Sequence, residues 1–163
     1  MIARRLAFLA APFATALLSG TAGATCPGSA VCTCVISLTS LAFGEYNPQA
    51  PAPTDTVGTI SISCISPDPA NSALSISLSP GSSGNANSRT LTQGSHPLYY
   101  NLYTNAARTV VWGDGSGGGE SVVSTFPIPS HSSKTFSIYG RIPALQNAWA
   151  GSYRDTITVT VTY

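Results

Sequence analysis

The stretch from Asp155 to Tyr163, DTITVTVTY, sets Ile157, Val159, Val161 and Tyr163 against threonines in strict alternation. A two-residue period fits a strand with one buried face, because successive side chains leave a pleated chain on opposite sides; on a helix these residues would scatter around the axis. The same period recurs along the chain. TISISC places Ile60, Ile62 and Cys64 on one face, and ALSISLS places Leu74, Ile76 and Leu78 against serines. PLYYNLYT alternates Leu98, Tyr100 and Leu102 with Tyr99, Asn101 and Tyr103, and KTFSIYGRI alternates Phe136, Ile138 and Ile142 with Thr135, Ser137, Tyr139 and Arg141. With VISLTSLAF near the start, and TVVW and SVVSTF on either side of a glycine run, this predicts about eight short strands and no helix.

Proline and glycine clusters punctuate the strands: NPQAPAPT, SPDPAN, SPGSSGNANS and PIPSHSS. Each separates strands of one alternating pattern, so they read as loops rather than linkers between domains. Many short strands at turn-punctuated spacing predict two sheets packed face to face, an all-β immunoglobulin-like sandwich. The final strand has no partner strand after it, which leaves the row Ile157, Val159, Val161, Tyr163 near an edge that something must cover.

The front of the chain has a different character. MIARRLAFLAAPFATALLSGTAGA carries two arginines, an apolar run from Leu6 to Leu18 and a small-residue A-x-A end at Ala22–Ala24, the pattern of a secretory signal peptide. We therefore expect residues 1–24 to be a leader, residues 25–33 a short N-terminal segment and residues 34–163 the sandwich domain, secreted out of the cytoplasm. No later apolar stretch approaches the ~18 residues of a membrane span. Without the leader, five basic residues (Arg89, Arg108, Lys134, Arg141, Arg154) stand against six acidic ones. So weak a balance argues against nucleic acid, which is bound by clustered positive charge.

Four cysteines, Cys26, Cys32, Cys34 and Cys64, lie early in the expected mature chain. In an exported protein they read as two disulfides, with three possible pairings. The favoured one joins Cys34 to Cys64, tying the first sandwich strand to the second, and Cys26 to Cys32 in a small terminal loop. A zinc site is disfavoured, because His96 and His131 lie far from the cysteines and show no ligand spacing.

Gly113-Asp-Gly115-Ser-Gly-Gly118 matches the letters of a dinucleotide-binding fingerprint. Such a loop needs a helix directly after it to present free amides to the pyrophosphate, yet ESVVSTFPIP alternates and then meets two prolines. The run is expected to be a glycine-rich hairpin connection. Asp114 and Glu120 lack the spaced oxygen ligands of a calcium loop. No G-x-S-x-G elbow or paired-acid feature marks a hydrolase, and the two histidines read as solvated loop residues. No catalytic residue, metal or cofactor is expected. Tyr99, Tyr103 and Tyr139 fall on the polar side of their strands, where cross-strand aromatic pairing competes with a sugar-stacking role.

Taken in order, CVISLTSLAFGEY, GTISISC, LYYNLYTNAARTVVWGDGSG and IYGRIPALQNAWAGSYRDTITVTVTY resemble the spore coat protein U domain family, from about Cys34 to Tyr163. The resemblance implies an immunoglobulin-like fold lacking its last strand, as in subunits of archaic chaperone–usher pili. The gap would be filled first by a periplasmic chaperone, with an outer-membrane usher following, and then by the N-terminal segment of a neighbouring pilus subunit. On that reading Ile157, Val159, Val161 and Tyr163 form the strand-acceptor groove. A donor segment should be extended and alternately apolar, whereas TCPGSAVCT, Thr25 to Thr33, holds a proline, a glycine and two cysteines. The expected protein accepts a strand but gives one poorly, which places it at a fibre end or outside a standard fibre. The alternative is a secreted coat protein or a carbohydrate-binding adhesin domain using the exposed tyrosines and the loops near Trp112 and Trp149.

Overall fold

The alternating runs form strands with two exceptions: TVVW makes only isolated bridges, Val111 to Tyr103 and Trp112 to Glu120, and VISLTSLAF is a strand only as far as Leu38. The computed structural model describes residues 4–9, 20–25, 31–65, 70–116, 119–128 and 132–162. Along them lie β1 (Arg4–Leu9), β2 (Gly20–Thr25), β3 (Val31–Leu38), β4 (Thr54–Ile65), β5 (Ala70–Leu78), β6 (Arg89–Gln93), β7 (His96–Tyr103), β8 (Val122–Ile128), β9 (Ser132–Ile142) and β10 (Thr156–Thr162). Two 3-10 turns, Gly81–Ser83 and Ala86–Ser88, lie within the SPGSSGNANS connection. No helix among the described residues is long and apolar enough to cross a membrane.

The strands make two antiparallel sheets, β1-β10-β5-β8 and β2-β3-β4-β9-β7-β6. Their inner faces carry the residues picked out by the period. Cys34, Ile36, Leu38, Ile60, Ile62, Leu98, Leu102, Ile138 and Ile142 of the larger sheet are buried in one cluster with Leu74, Ile76, Leu78, Ile157, Val159 and Val161 of the smaller one. Each such side chain contributes roughly 1.5–3 kcal/mol when fully removed from water. The fold is the expected all-β sandwich.

Cys34 and Cys64 stand directly opposite each other in the β3–β4 register and are joined by a disulfide that closes a loop of sequence separation 30. The pairing suggested for the remaining two cysteines involves Cys26, which lies outside the described residues. β3 begins at Val31, so the strand takes in part of the segment assigned to residues 25–33.

Three differences from the sequence reading have physical reasons. β6 was not foreseen, because its first inward position holds Arg89, fully buried, where a core strand would show an apolar residue. His96 is the first residue of β7 rather than a loop residue, and its ring stacks on Trp149 with centroids 4.4 Å apart. His131 lies outside the described residues.

The third difference concerns the last strand. In the full chain the outer edge of β10 is not open: β1 pairs with it in antiparallel register, Leu6 opposite Val159 and Phe8 opposite Ile157. β2 likewise covers the outer edge of β3, from Gly20 opposite Ile36 to Thr25 opposite Val31. Both covering strands come almost wholly from residues 1–24, the expected leader. The alternation of Leu6 and Phe8 with Arg5 and Ala7 has the strand period that an edge of this kind accepts.

Candidate functional site

The groups that the β10 edge offers are backbone groups. Ile157, Val159 and Val161 are all at least nine-tenths buried and form the inner face of the strand. Thr158 directs its carbonyl to the amide of Ser79 at 2.9 Å, and its own amide donates to the Ser79 hydroxyl at 2.9 Å, so its main-chain groups face β5. Neighbouring residues of a pleated strand direct theirs to the opposite side. The N–H and C=O of Ile157, Val159 and Val161 therefore face β1, opposite Phe8, Leu6 and Arg4. Tyr163, the fourth residue of the proposed acceptor row, lies outside the described residues.

On the other side of β10, at β5, a polar clasp joins the two sheets. Trp112, 1% exposed, takes its place between the sheets: its amide donates to Leu102 of β7 at 2.9 Å, and its indole Nε1 donates to the carbonyl of Ile76 of β5 at 3.0 Å. The Trp112 carbonyl accepts from Arg89 at 2.8 Å. The Arg89 guanidinium also donates to the carbonyls of Ser79 (2.8 Å) and Ala86 (3.2 Å) and to Oδ1 of Asn101 (2.8 Å). Carbonyl oxygens thus take the place of a carboxylate partner. Burial shifts this guanidinium below its ordinary pKa, with Tyr100, Asp155 and Asp114 opposing the shift.

A second buried contact lies at the root of β10. The Tyr100 hydroxyl donates to Asp155 Oδ2 at 2.7 Å, while Asp155 Oδ1 accepts from the amides of Ser82 (2.9 Å) and Thr156 (2.8 Å). Burial, then the charge of Asp155, pushes the Tyr100 hydroxyl far above its usual pKa. Gly81, at φ 71°, sits against this carboxylate, and a Cβ there would overlap it. The anchor holds Asp155 at the start of β10, and the clasp reaches that strand through Ser79, which bonds Thr158.

The glycine run is neither a nucleotide loop nor a simple hairpin. β8, a strand, follows it, and the bridge between Trp112 and Glu120 is parallel, whereas a hairpin would pair its arms antiparallel. The Gly113 amide donates to Glu120 at 2.7 Å and the Glu120 amide to Val111 at 2.9 Å, closing a compact loop. Gly113 and Gly119 approach so closely that a Cβ on either would lie 2.7 Å from the other's Cα. Asp114 Oδ1 accepts from the Ser116 amide and hydroxyl, and these bonds hold its carboxyl below the usual range. Gly113 and Gly119 therefore serve close backbone approach.

The aromatic residues divide. Tyr103 and Tyr139 are directly opposite in the β7–β9 register, as the cross-strand reading expects, with the Arg108 guanidinium 5.8 Å from the Tyr139 ring centre. Tyr99 is exposed, its main chain bridged on both sides by Gln146 at 2.8 Å. Trp112 is buried in the clasp and unavailable to a ligand, whereas Trp149 is 63% exposed.

A family model described as the Spore Coat Protein U domain matches residues 18–160. The chain belongs to this family. It is also similar to Protein U of Myxococcus xanthus, with 30% identity over 134 residues that cover 76% of this chain and 72% of the relative. Spore coat protein U domains are structural domains of pilus- and coat-type surface proteins, which accords with a sandwich whose polar interior groups are taken up by packing bonds. Sequence reasoning missed the Arg89 clasp and the Tyr100–Asp155 anchor. The one available signal was an arginine at an inward position of RTLTQ.

Proposed function

We propose that this protein is an exported, non-catalytic subunit of a pilus- or coat-type surface assembly, and that its sandwich is completed along β10 by a strand from another polypeptide. One observation carries the reading: the strand that covers β10 is Arg4–Leu9, the charged and first apolar residues of the expected leader. Once a leader of residues 1–24 is removed, the outward N–H and C=O groups of Ile157, Val159 and Val161 lose their partners, and so does most of the outer edge of β3. A row of unpaired strand groups over an apolar core is a template for strand addition. A periplasmic chaperone would cover it first, an usher would follow, and a neighbouring subunit would replace the chaperone. The contact would be durable, because it joins a full ladder of hydrogen bonds to burial of a neighbour's apolar residues.

Donation is a separate matter. With β3 starting at Val31, only the few residues after Thr25 would precede the sandwich, too short a stretch for an alternating donor of about ten residues. The subunit would accept without donating efficiently.

The test is export of the chain with and without a cognate chaperone of its assembly system. Co-expression should yield a soluble one-to-one complex, and the chain alone should aggregate or be degraded. A monodisperse, thermally stable monomer of residues 25–163 without any partner contradicts the reading. Val159→Asp is a blunt probe of capture, since Val159 faces the core and its replacement attacks the fold as well as the edge.

A further inference from the structure

The loops Leu41–Pro48 and Ala148–Tyr153, the second leading into β10, enclose an open cleft of about 470 Å³ beside β6, β7 and β9. That is the size of a small-molecule site. Its lining is chemically one-sided. Four aromatic side chains, Phe43, Tyr46, Trp149 and Tyr153, line it together with a single charged residue, Glu45, and no lysine or arginine does. Among the described residues Glu45 forms no ion pair.

The walls are held in place. Tyr46 donates its hydroxyl proton to the Pro143 carbonyl at 3.0 Å and accepts from the Gln146 amide at 2.8 Å, tying the first loop to the segment that leads into the second. The Tyr153 hydroxyl accepts from the Trp149 amide at 2.9 Å. Gln93 donates to the Ala150 carbonyl at 2.9 Å, anchoring the second loop to β6. The indole of Trp149 is stacked on the imidazole of His96, with ring planes 18° apart, yet remains 63% exposed. An exposed tryptophan held in one orientation at the wall of a concave site is organised for contact with something outside the chain.

Electron-rich ring faces and an unpaired carboxylate attract positive charge, tryptophan most strongly of the three aromatic types. An anion would meet Glu45 without any compensating base. We propose that this cleft is a binding site for a small organic cation with an alkylated ammonium head group. An alkylated head suits the apolar walls because it sheds water at lower cost than a bare ammonium. None of the residues lining the cleft belongs to β10, although its second loop leads into that strand.

The test titrates the full chain with choline chloride at constant ionic strength, reading tryptophan fluorescence and heat, with glucose and sodium acetate as controls. Buried Trp112 reports whether the fold persists. Choline should give a saturable change that glucose and acetate do not, and Glu45→Gln and Trp149→Ala should each weaken it about tenfold. Glu45 is an exposed loop residue, so its amide variant keeps the fold and isolates the charge. The proposal is overturned if choline gives no saturable change, if glucose matches it, or if Glu45→Gln binds choline as the parent does.

Discussion

The indole Nε1 of Trp112 donates to the carbonyl of Ile76 at 3.0 Å, linking the loop after β7 in the larger sheet to β5 in the smaller one. Since Ile76 is fully buried, no water can replace this donor. Trp112→Phe should retain most of the apolar contact but orphan the carbonyl. We expect a loss of about 1–3 kcal/mol in chemical denaturation, with a larger loss for Trp112→Ala, which adds a cavity.

Arg89 satisfies the carbonyls of Ser79, Ala86 and Trp112 and the side chain of Asn101 from one buried position. Arg89→Met removes the charge but strands several buried acceptors, and should cost about 3–5 kcal/mol. Arg89→Lys keeps the charge without the planar fork that spans these oxygens, so urea denaturation should show it well below the parent as well.

The alternating strands were legible because one face of each is buried and the other polar, as in β4, β7, β9 and β10. Turn chemistry located most of the connections. β6 escaped because its inward arginine is solvated by main-chain oxygens, an arrangement that requires β5, β7 and the Trp112 loop to be in place first. Trp112 could not be told from Trp149 by composition: both sit beside glycines or alanines, and only the tertiary fold buries one and exposes the other. That β10 would need a covering strand was expected, but that residues 4–9 have the period to supply one was not. An apolar leader and an apolar edge strand look alike over six residues.

The Cys34–Cys64 disulfide closes a loop of about thirty residues across adjacent strands. By the chain-entropy account its removal destabilises the domain by roughly 3–4 kcal/mol. Thermal melts with and without reductant, and of the Cys34→Ala, Cys64→Ala double variant, should show the same drop. Both half-cystines are buried, so reduction should be slow until the domain opens.

Asp55 and Arg141 are opposite in the β4–β9 register and form a two-bond fork at 2.8 Å each, with Arg108 3.3 Å away. The Arg141 hydrogen bonds hold the Asp55 carboxyl below its ordinary pKa. A carboxylate whose folded pKa is depressed stabilises the fold above its unfolded pKa, and this is lost as pH falls through the folded value. Asp55→Asn should therefore flatten the decline of stability below about pH 4. Because the pair is partly exposed, its loss near neutral pH should cost no more than about 1 kcal/mol, and less in high salt.

Amide hydrogen exchange along β10 tests the central claim most directly. In the chain without residues 1–24, the amides of Ile157, Val159 and Val161 should exchange quickly while those of Thr158 and Thr160, which face β5, stay protected; a captured partner strand should slow the first three. Protection of all five amides in an isolated monomer of residues 25–163 would mean that the sandwich completes itself and needs no second polypeptide.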